Sequence, residues 1–329
     1  MTRRLAVTVE SWPIRGAFRI ARGAKTQAHV VVAAVQEGDV IGRGECVPYA
    51  RYGESVQSVR GEIEALRSEV EGGLTRDALQ QRMTAGAARN ALDCALIDWE
   101  AKSSGRPAFD VLGLPPPVPL RTAYTLSLDS PEAMGAAAAD AAAKGYRLLK
   151  LKLAGGADLD RVEAVRRGNP SARLIVDANE GWTPDDLFHL APELARLGVA
   201  LIEQPLKAEA DDALFGYRSP VPLCADESCH TRADLPRVVG RYDHINVKLD
   251  KTGGLTEAVG LVREARLLGL GLMVGCMVST SLAMAPASLL AGLADFVDLD
   301  GPLLLARDRE PAMRYEADLL YPAPRELWG

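Results

Sequence analysis

From Leu120 to Leu299 the chain repeats one pattern: a short apolar run, a break, and an amphipathic Ala/Leu/Arg-rich stretch such as Glu257–Leu268. Strand-like runs fall at Leu120–Leu126, Leu148–Leu153, Leu174–Asp177, Ala200–Glu203, Leu223–Asp226, His244–Leu249, Leu270–Val274 and Asp295–Leu299. Runs of this length read as buried strands and the stretches between them as helices. Parallel strands need such crossovers, and eight of them in succession predict an α/β fold of the (β/α)8-type (TIM) barrel class, over residues 120–301. A doubly wound open sheet is the competing arrangement. The chain lacks the Gly-rich dinucleotide turn after the first strand that would favour it.

The region before the barrel is organised differently. Arg4–Glu10, Val30–Gln36 and Val40–Val47 have strand character, followed by helical patterns over Ser55–Glu71, from about Thr75, and over Ala85–Ser103. Strands segregated from helices predict a small α+β domain over residues 1–114. The run Leu114-Pro115-Pro116-Pro117-Val118-Pro119 blocks both helix and central strand and serves as the linker. Residues 302–329 form a C-terminal segment.

Composition excludes several classes of function. A net charge of −6, with Lys and Arg scattered, argues against a nucleic-acid partner. No apolar stretch is long enough to span a membrane, and MTRRLAVTVE turns into a strand pattern instead of a signal core. Cys46, Cys94, Cys224, Cys229 and Cys276 form an odd set without a CxxC pair. They read as reduced thiols, which places the chain in the cytoplasm.

The charges carry the chemistry. Lys150 and Lys152 (LLKLKLA), Asp177 (LIVDANEGW), Glu203 (LIEQP), Asp226 (LCADES), Lys248 (INVKLDKTGG), and Asp298 with Asp300 (FVDLDGP) all stand at or near the C-terminal ends of strands. In barrel enzymes that face holds the active site. One such residue is ordinarily a cap; a run of consecutive units doing the same makes a shared mouth. Asp177, Glu203 and Asp226 come from adjacent strands and need a cation between them. Ligation by oxygen alone selects Mg²⁺, with Mn²⁺ as a substitute, over zinc. None of His29, His189, His230 or His244 sits at a comparable strand end.

Lys150 and Lys152 share a strand face, so at least one of them is expected to have a depressed pKa, as a general base needs. Lys248, from the sixth strand, faces Lys152, from the second, across a closed barrel. Two opposed lysines can take a proton from one face of a carbon and return it to the other. Asp298 and Asp300 are expected to lie away from the metal carboxylates and to meet a cationic group of the ligand. The Lys251-Thr252-Gly253-Gly254 run reads as a strand-to-helix turn.

Together these residues resemble the enolase superfamily, in its muconate-lactonizing-type subgroup with a KxK motif, and within it the L-Ala-D/L-Glu epimerases. The resemblance runs through FRIARGAKT, GRGECVPYARYGES, GAARNALDCALIDWEAK, LKLK, DANEGW, EQP, ADESCHTR, NVKLDKTGGLTEA, GCMVSTS and DLDGP. It implies a modified barrel with the α+β domain as its cap, and a C-terminal segment returning to that cap. It implies Mg²⁺ on Asp177, Glu203 and Asp226, and Lys152 and Lys248 as acid/base pair around a metal-stabilised enediolate. Lys150 would hold the substrate carboxylate, Asp298 and Asp300 the dipeptide ammonium, and Thr125 and Cys276 would contact substrate. Arg22, in the segment resembling a mobile capping loop, would pair with the glutamate side chain. The small-molecule partner would be a dipeptide from bacterial cell-wall recycling, and the chain can form a homo-oligomer. Cycloisomerases, o-succinylbenzoate synthases and N-acylamino acid racemases share the metal and lysines; a barrel that only binds would need neither base.

Overall fold

The computed structural model describes residues 3–329. Three antiparallel strands open the chain: β1 (Arg4–Ile20), β2 (Gly23–Glu37) and β3 (Val40–Cys46). β1 runs ten residues beyond the Glu10 limit expected from its alternation, because a register shift between Pro13 and Phe18 absorbs the proline and Gly16. FRIARGAKT therefore forms the tip of a β1–β2 hairpin, where Ile20 faces Gly23 and Phe18 faces Lys25. The helical stretch after Ser55 divides at Leu66 into Val56–Ala65 and Arg67–Glu71.

The long helix Ala87–Ser104 lies on β2 and β3, burying Ala91, Leu92 and Ala95. It approaches so closely that a Cβ on Gly42 would stand 2.2 Å from the Ala95 carbonyl oxygen, and one on Gly44 2.1 Å from that of Ala91. Both glycines are required by this contact, not by backbone conformation.

The expected Leu120–Leu126 strand is two pieces. β4 (Leu120–Arg121) leaves the barrel to pair with Leu319–Leu320 near the C-terminus, and β5 (Tyr124–Leu126) enters it. The change of partner falls at Thr122-Ala123, whose groups bond to the far end of the sheet. β5 is followed by β6 (Leu148–Lys152), β7 (Arg173–Asp177), β8 (Val199–Glu203), β9 (Leu223–Ala225), β10 (His244–Val247), β11 (Gly271–Gly275) and β12 (Phe296–Asp298). These form one parallel eight-stranded sheet in sequence order. The Ala123 amide donates to the Val297 carbonyl at 2.7 Å and the Leu299 amide to Thr122 Oγ1 at 2.8 Å, drawing the two edges together. The fold is thus a modified (β/α)8-type barrel with an N-terminal cap.

Alternation along each strand divides its residues between two environments. Outward positions pack against the helices. Inward positions form a buried plug of Ala123, Leu148, Ile175, Leu201, Cys224, Met273 and Phe296. Two residues further on, the same inward side carries Thr125, Lys150, Asp177, Glu203, Asp226, Gly275 and Asp298. The pleat alone delivers polar groups to one mouth above an apolar floor.

After β12 the chain makes a short 3₁₀ turn, Gly301–Leu304, and among the described residues no α-helix follows. The chain crosses to the cap, where the Ala306 amide donates to the Pro13 carbonyl at 2.8 Å, then forms the β13 (Tyr315–Glu316) and β14 (Leu319–Leu320) hairpin. At its end the Trp328 indole donates to the Cys94 carbonyl at 3.2 Å and the Gly329 amide to Asp98 Oδ1 at 2.6 Å. Arg309 reaches Glu45 on β3 and Glu10 on β1, each at 2.6 Å.

Gly44→Ala is expected to destabilise the protein by about 1–3 kcal/mol through overpacking of helix against sheet. Urea denaturation followed by circular dichroism reads this directly; an unchanged midpoint would mean that the helix can lift off β3 without cost.

Candidate active site

Every charged residue singled out in the barrel sequence lies at the C-terminal end of a strand or just past it. Lys150 and Lys152 are on β6, and Asp177, Glu203 and Asp298 close β7, β8 and β12. Asp226, Lys248 and Cys276 each follow their strand by one residue, and Asp300 follows by two. The register Lys152↔Asp177↔Glu203 sets the first of these side by side. All but Cys276, which is half-buried, are buried.

Lys150 stands at the centre. Its Nζ lies 2.6 Å from Glu203 Oε2, 2.8 Å from Asp298 Oδ2 and 3.2 Å from Asp177 Oδ2. Lys152 Nζ is 2.6 Å from Asp177 Oδ2, and Lys248 Nζ is 2.6 Å from Asp226 Oδ2. Asp298 is therefore not remote from the other carboxylates: one ammonium touches it and two of them.

Of the two lysines on β6, one of which was expected to be depressed, Lys150 is not that one. Burial pulls its pKa down, but Asp298, Glu203 and Asp177 outweigh burial and raise it well above the ordinary lysine value. Lys248 is likewise raised, against burial, by Asp226 and Glu203. Carboxylates set these pKa values; the neighbouring lysine charge is the lesser effect. On the acid side, Lys152 and Lys150 hold Asp177 at about 2 against the opposing effect of burial. Glu203 is raised by burial and by the charge of Asp177.

Two participants escape a reading of strand ends. Lys251, in the turn after β10, is fully buried, with Nζ 2.7 Å from Asp226 Oδ1 and 2.9 and 2.8 Å from the Cys229 and Asn246 carbonyls. Asn246 donates its amide to Glu203 Oε1 at 2.7 Å. Gly275 makes room for it, since a Cβ there would meet Asn246 Oδ1 at 2.6 Å. The signal for Asn246 was its place two residues before Lys248 on the inward face. Lys251 gave none, because its direction depends on the helical turn Leu249–Thr252.

The mouth opens into a cavity of about 790 Å³, roofed by the hairpin tip and by Val47–Arg51 of the cap. Thr125, Lys150, Lys152, Lys248, Cys276, Asp298, Asp300 and Arg22 all line it. The Thr125 amide donates to Asp300 Oδ2 at 2.6 Å. Burial and the charge of Asp298 push Asp300 up to about 7. Arg22, at the hairpin tip, donates to Asn179 O, Glu180, Tyr49 and Glu227, the last at 2.7 Å.

A hard cation fits the donor set. The carboxylates facing the mouth offer oxygen alone, and buried Glu203 Oε2 and Asp226 Oδ1 each face a lysine ammonium, at 2.6 and 2.7 Å, the charge that a cation would replace. As the side chains stand, each of Asp177, Glu203 and Asp226 is turned to a lysine. Among the described residues no three Asp, Glu, His or Cys side chains are arranged as a ligand set.

Residues 133–310 match the family described as enolase C-terminal domain-like, and residues 2–113 match the mandelate racemase/muconate lactonizing enzyme N-terminal domain. The chain belongs to the enolase superfamily. It is an isomerase, of the epimerase class. The chain is 46% identical to the L-Ala-D/L-Glu epimerase of Escherichia coli (strain K12), over 97% of this chain and 99% of that protein. It is 45% identical to an N-acetyl-D-glutamate racemase of Pseudoalteromonas sp., over 91% and 95% of the respective chains. An enolase-family member from Agrobacterium tumefaciens with homology to dipeptide epimerases, solved with sodium, L-Ala-L-Glu and an ordered loop, superposes with a TM-score of 0.97. That protein is 52% identical, with 99% of this chain and 100% of the other covered. Among the described residues no helix of this enolase-superfamily enzyme is long and apolar enough to cross a membrane.

Lys251→Met leaves Asp226 without one of its two cations and strands buried carbonyls, so a loss of about 3–5 kcal/mol in stability is expected. Chemical denaturation measures it; a loss below about 1 kcal/mol, the scale of an exposed pair, would show Lys251 to be dispensable.

Proposed function

We propose that this enzyme is a Mg²⁺-dependent dipeptide epimerase, with Mn²⁺ as a substitute, that interconverts L-Ala-D-Glu and L-Ala-L-Glu. The observation that carries the reading is the opposition of two lysines. Lys152 ends β6 and Lys248 follows β10, four strands apart in an eight-stranded barrel, and both line the one cavity. One base can exchange a proton on one face of a carbon; inversion calls for a second group on the other face.

Asp177, Glu203 and Asp226 would hold the metal, which supplies positive charge to the substrate carboxylate as the adjacent carbon loses its proton. Lys150, held protonated by its three carboxylates, donates to the same substrate carboxylate as negative charge builds there. Lys152 Nζ donates to Asp177 Oδ2 and Lys248 Nζ to Asp226 Oδ2, each at 2.6 Å. The lysine that is neutral then takes the α-proton of the glutamyl residue, and the opposite ammonium delivers one to the other face.

Asp298 and Asp300, braced by Thr125, are suited to the dipeptide ammonium. Asp300 is pushed to about 7 by burial and by Asp298, and a ligand cation between the two relieves that repulsion. Cys276, its thiol pK raised by burial, acts as a neutral wall. The substrate points to recycling of cell-wall peptides in a bacterial cytoplasm. Racemisation of an N-acylglutamate is the second reading, favoured by the identity to the N-acetyl-D-glutamate racemase; such a substrate has no ammonium for Asp298 and Asp300.

Proton NMR of L-Ala-D-Glu and L-Ala-L-Glu in D₂O with enzyme and Mg²⁺ tests the reaction. Loss of the Glu α-proton signal with growth of the other diastereomer, stopped by EDTA, is expected. Lys152→Ala and Lys248→Ala should each slow inversion by at least about 10²-fold. Each should also retain exchange from one diastereomer only, and from opposite ones. Exchange of the same diastereomer in both variants would sink the two-base assignment. Asp300→Asn should lower kcat/KM for L-Ala-D-Glu relative to N-acetyl-D-glutamate by about 10-fold, the worth of one charged hydrogen bond. An unchanged ratio would favour the N-acyl substrate.

A further inference from the structure

The hairpin roof carries two cations over the cavity, Arg22 and Lys25, and they differ in what they already bind. Arg22 has both terminal nitrogens engaged: Nη1 donates to Asn179 O at 2.8 Å and Glu180 Oε2 at 3.1 Å, and Nη2 to Tyr49 Oη at 3.0 Å and Glu227 Oε1 at 2.7 Å. It ties the hairpin tip to the loops after β7 and β9. A substrate carboxylate arriving there meets the buried charge of Glu227 as well as the guanidinium.

Lys25 is the contrast. Lys150, Lys152, Lys248, Arg22 and Arg51, the other Lys and Arg residues lining the cavity, each hold a protein carboxylate. Lys25 holds none among the described residues. Its Nζ lies 5.1 Å from the centre of the Tyr49 ring, which fixes its direction without neutralising it. Phe18 faces Lys25 across the hairpin, so the two side chains share one face of it. The Phe18 ring is itself 5.9 Å from Lys152 Nζ. Lys25 thus stands on the cavity side of the roof, beside the ring that adjoins one of the reacting lysines. Loss of surrounding water and the nearby Arg22 lower its pKa, a deficit that a ligand anion would make good.

We propose that Lys25, and not Arg22, receives the side-chain carboxylate of the substrate's second residue, and so sets the preference for an acidic dipeptide. This rests on the dipeptide reading above. Arg22 then acts as a strap that keeps the roof closed over either substrate.

The test compares kcat/KM for L-Ala-L-Glu with that for its neutral isostere L-Ala-L-Gln, in the wild type, K25M, K25R and R22M. The Glu/Gln ratio should fall about 10- to 100-fold in K25M, the range expected for one charge-assisted hydrogen bond, and return in K25R. In R22M both substrates should lose by a common factor. Lys25→Glu gives a second reading, a preference turned toward L-Ala-L-Lys. A common loss on both substrates in K25M, or a ratio that collapses in R22M alone, overturns the assignment. Wild-type inactivity on both dipeptides would instead fail the dipeptide reading, and the role of Lys25 with it.

Discussion

The Lys150 ammonium, fully buried among Asp177, Glu203 and Asp298, is the contact on which the rest of the mouth depends. Carboxylates this close repel one another, and burial removes the water that would screen them. Four lysines interleave with them: Lys150 at the centre, Lys152 and Lys248 on opposite sides, and Lys251 beneath Asp226. Charge balance, not packing, decides where these side chains point. The apolar plug below them, from Leu148 to Phe296, gives the cluster a rigid floor and seals the barrel from the other end.

That arrangement was largely legible in the sequence, and the reason is geometric. In a barrel strand the pleat fixes which residues face inward, and the parallel register fixes their height. Asp177, Glu203 and Asp226 were therefore readable as neighbours from three short motifs. Legibility failed where direction is not set by a pleat. Lys251 is turned inward by a helical turn, Arg22 sits at the tip of a hairpin read as a loop, and the split of Leu120–Leu126 follows from pairing with residues almost two hundred positions later. The pKa of Lys150 failed for another reason. Sequence spacing named the nearest like charge, Lys152, while the opposing carboxylates arrive from other strands and could be counted only after folding.

The cap and the C-terminal segment join this machinery to its substrate. Asp98 on the long cap helix receives the last backbone amide of the chain, and Arg309 binds Glu10 and Glu45 together. On the barrel side, Asp250 accepts from the Val47 amide at 3.0 Å and from Asn90 at 2.8 Å, so the turn that carries Lys248 and Lys251 is bonded directly to the cap. The roof is positioned by buried polar contacts and not by an apolar seam alone. Residues on the hairpin and after β3 can then vary the walls of the cavity without disturbing the row of charges at its base.

The pairing of Lys152 with Asp177 and of Lys248 with Asp226 also has a thermodynamic consequence. A lysine standing unpaired at these buried positions would be partly neutral and costly to hold when charged, and a carboxylate without a cation would be worse. Pairing each with the other lets the chain bury both kinds of group at the mouth of the barrel without leaving a charge uncompensated.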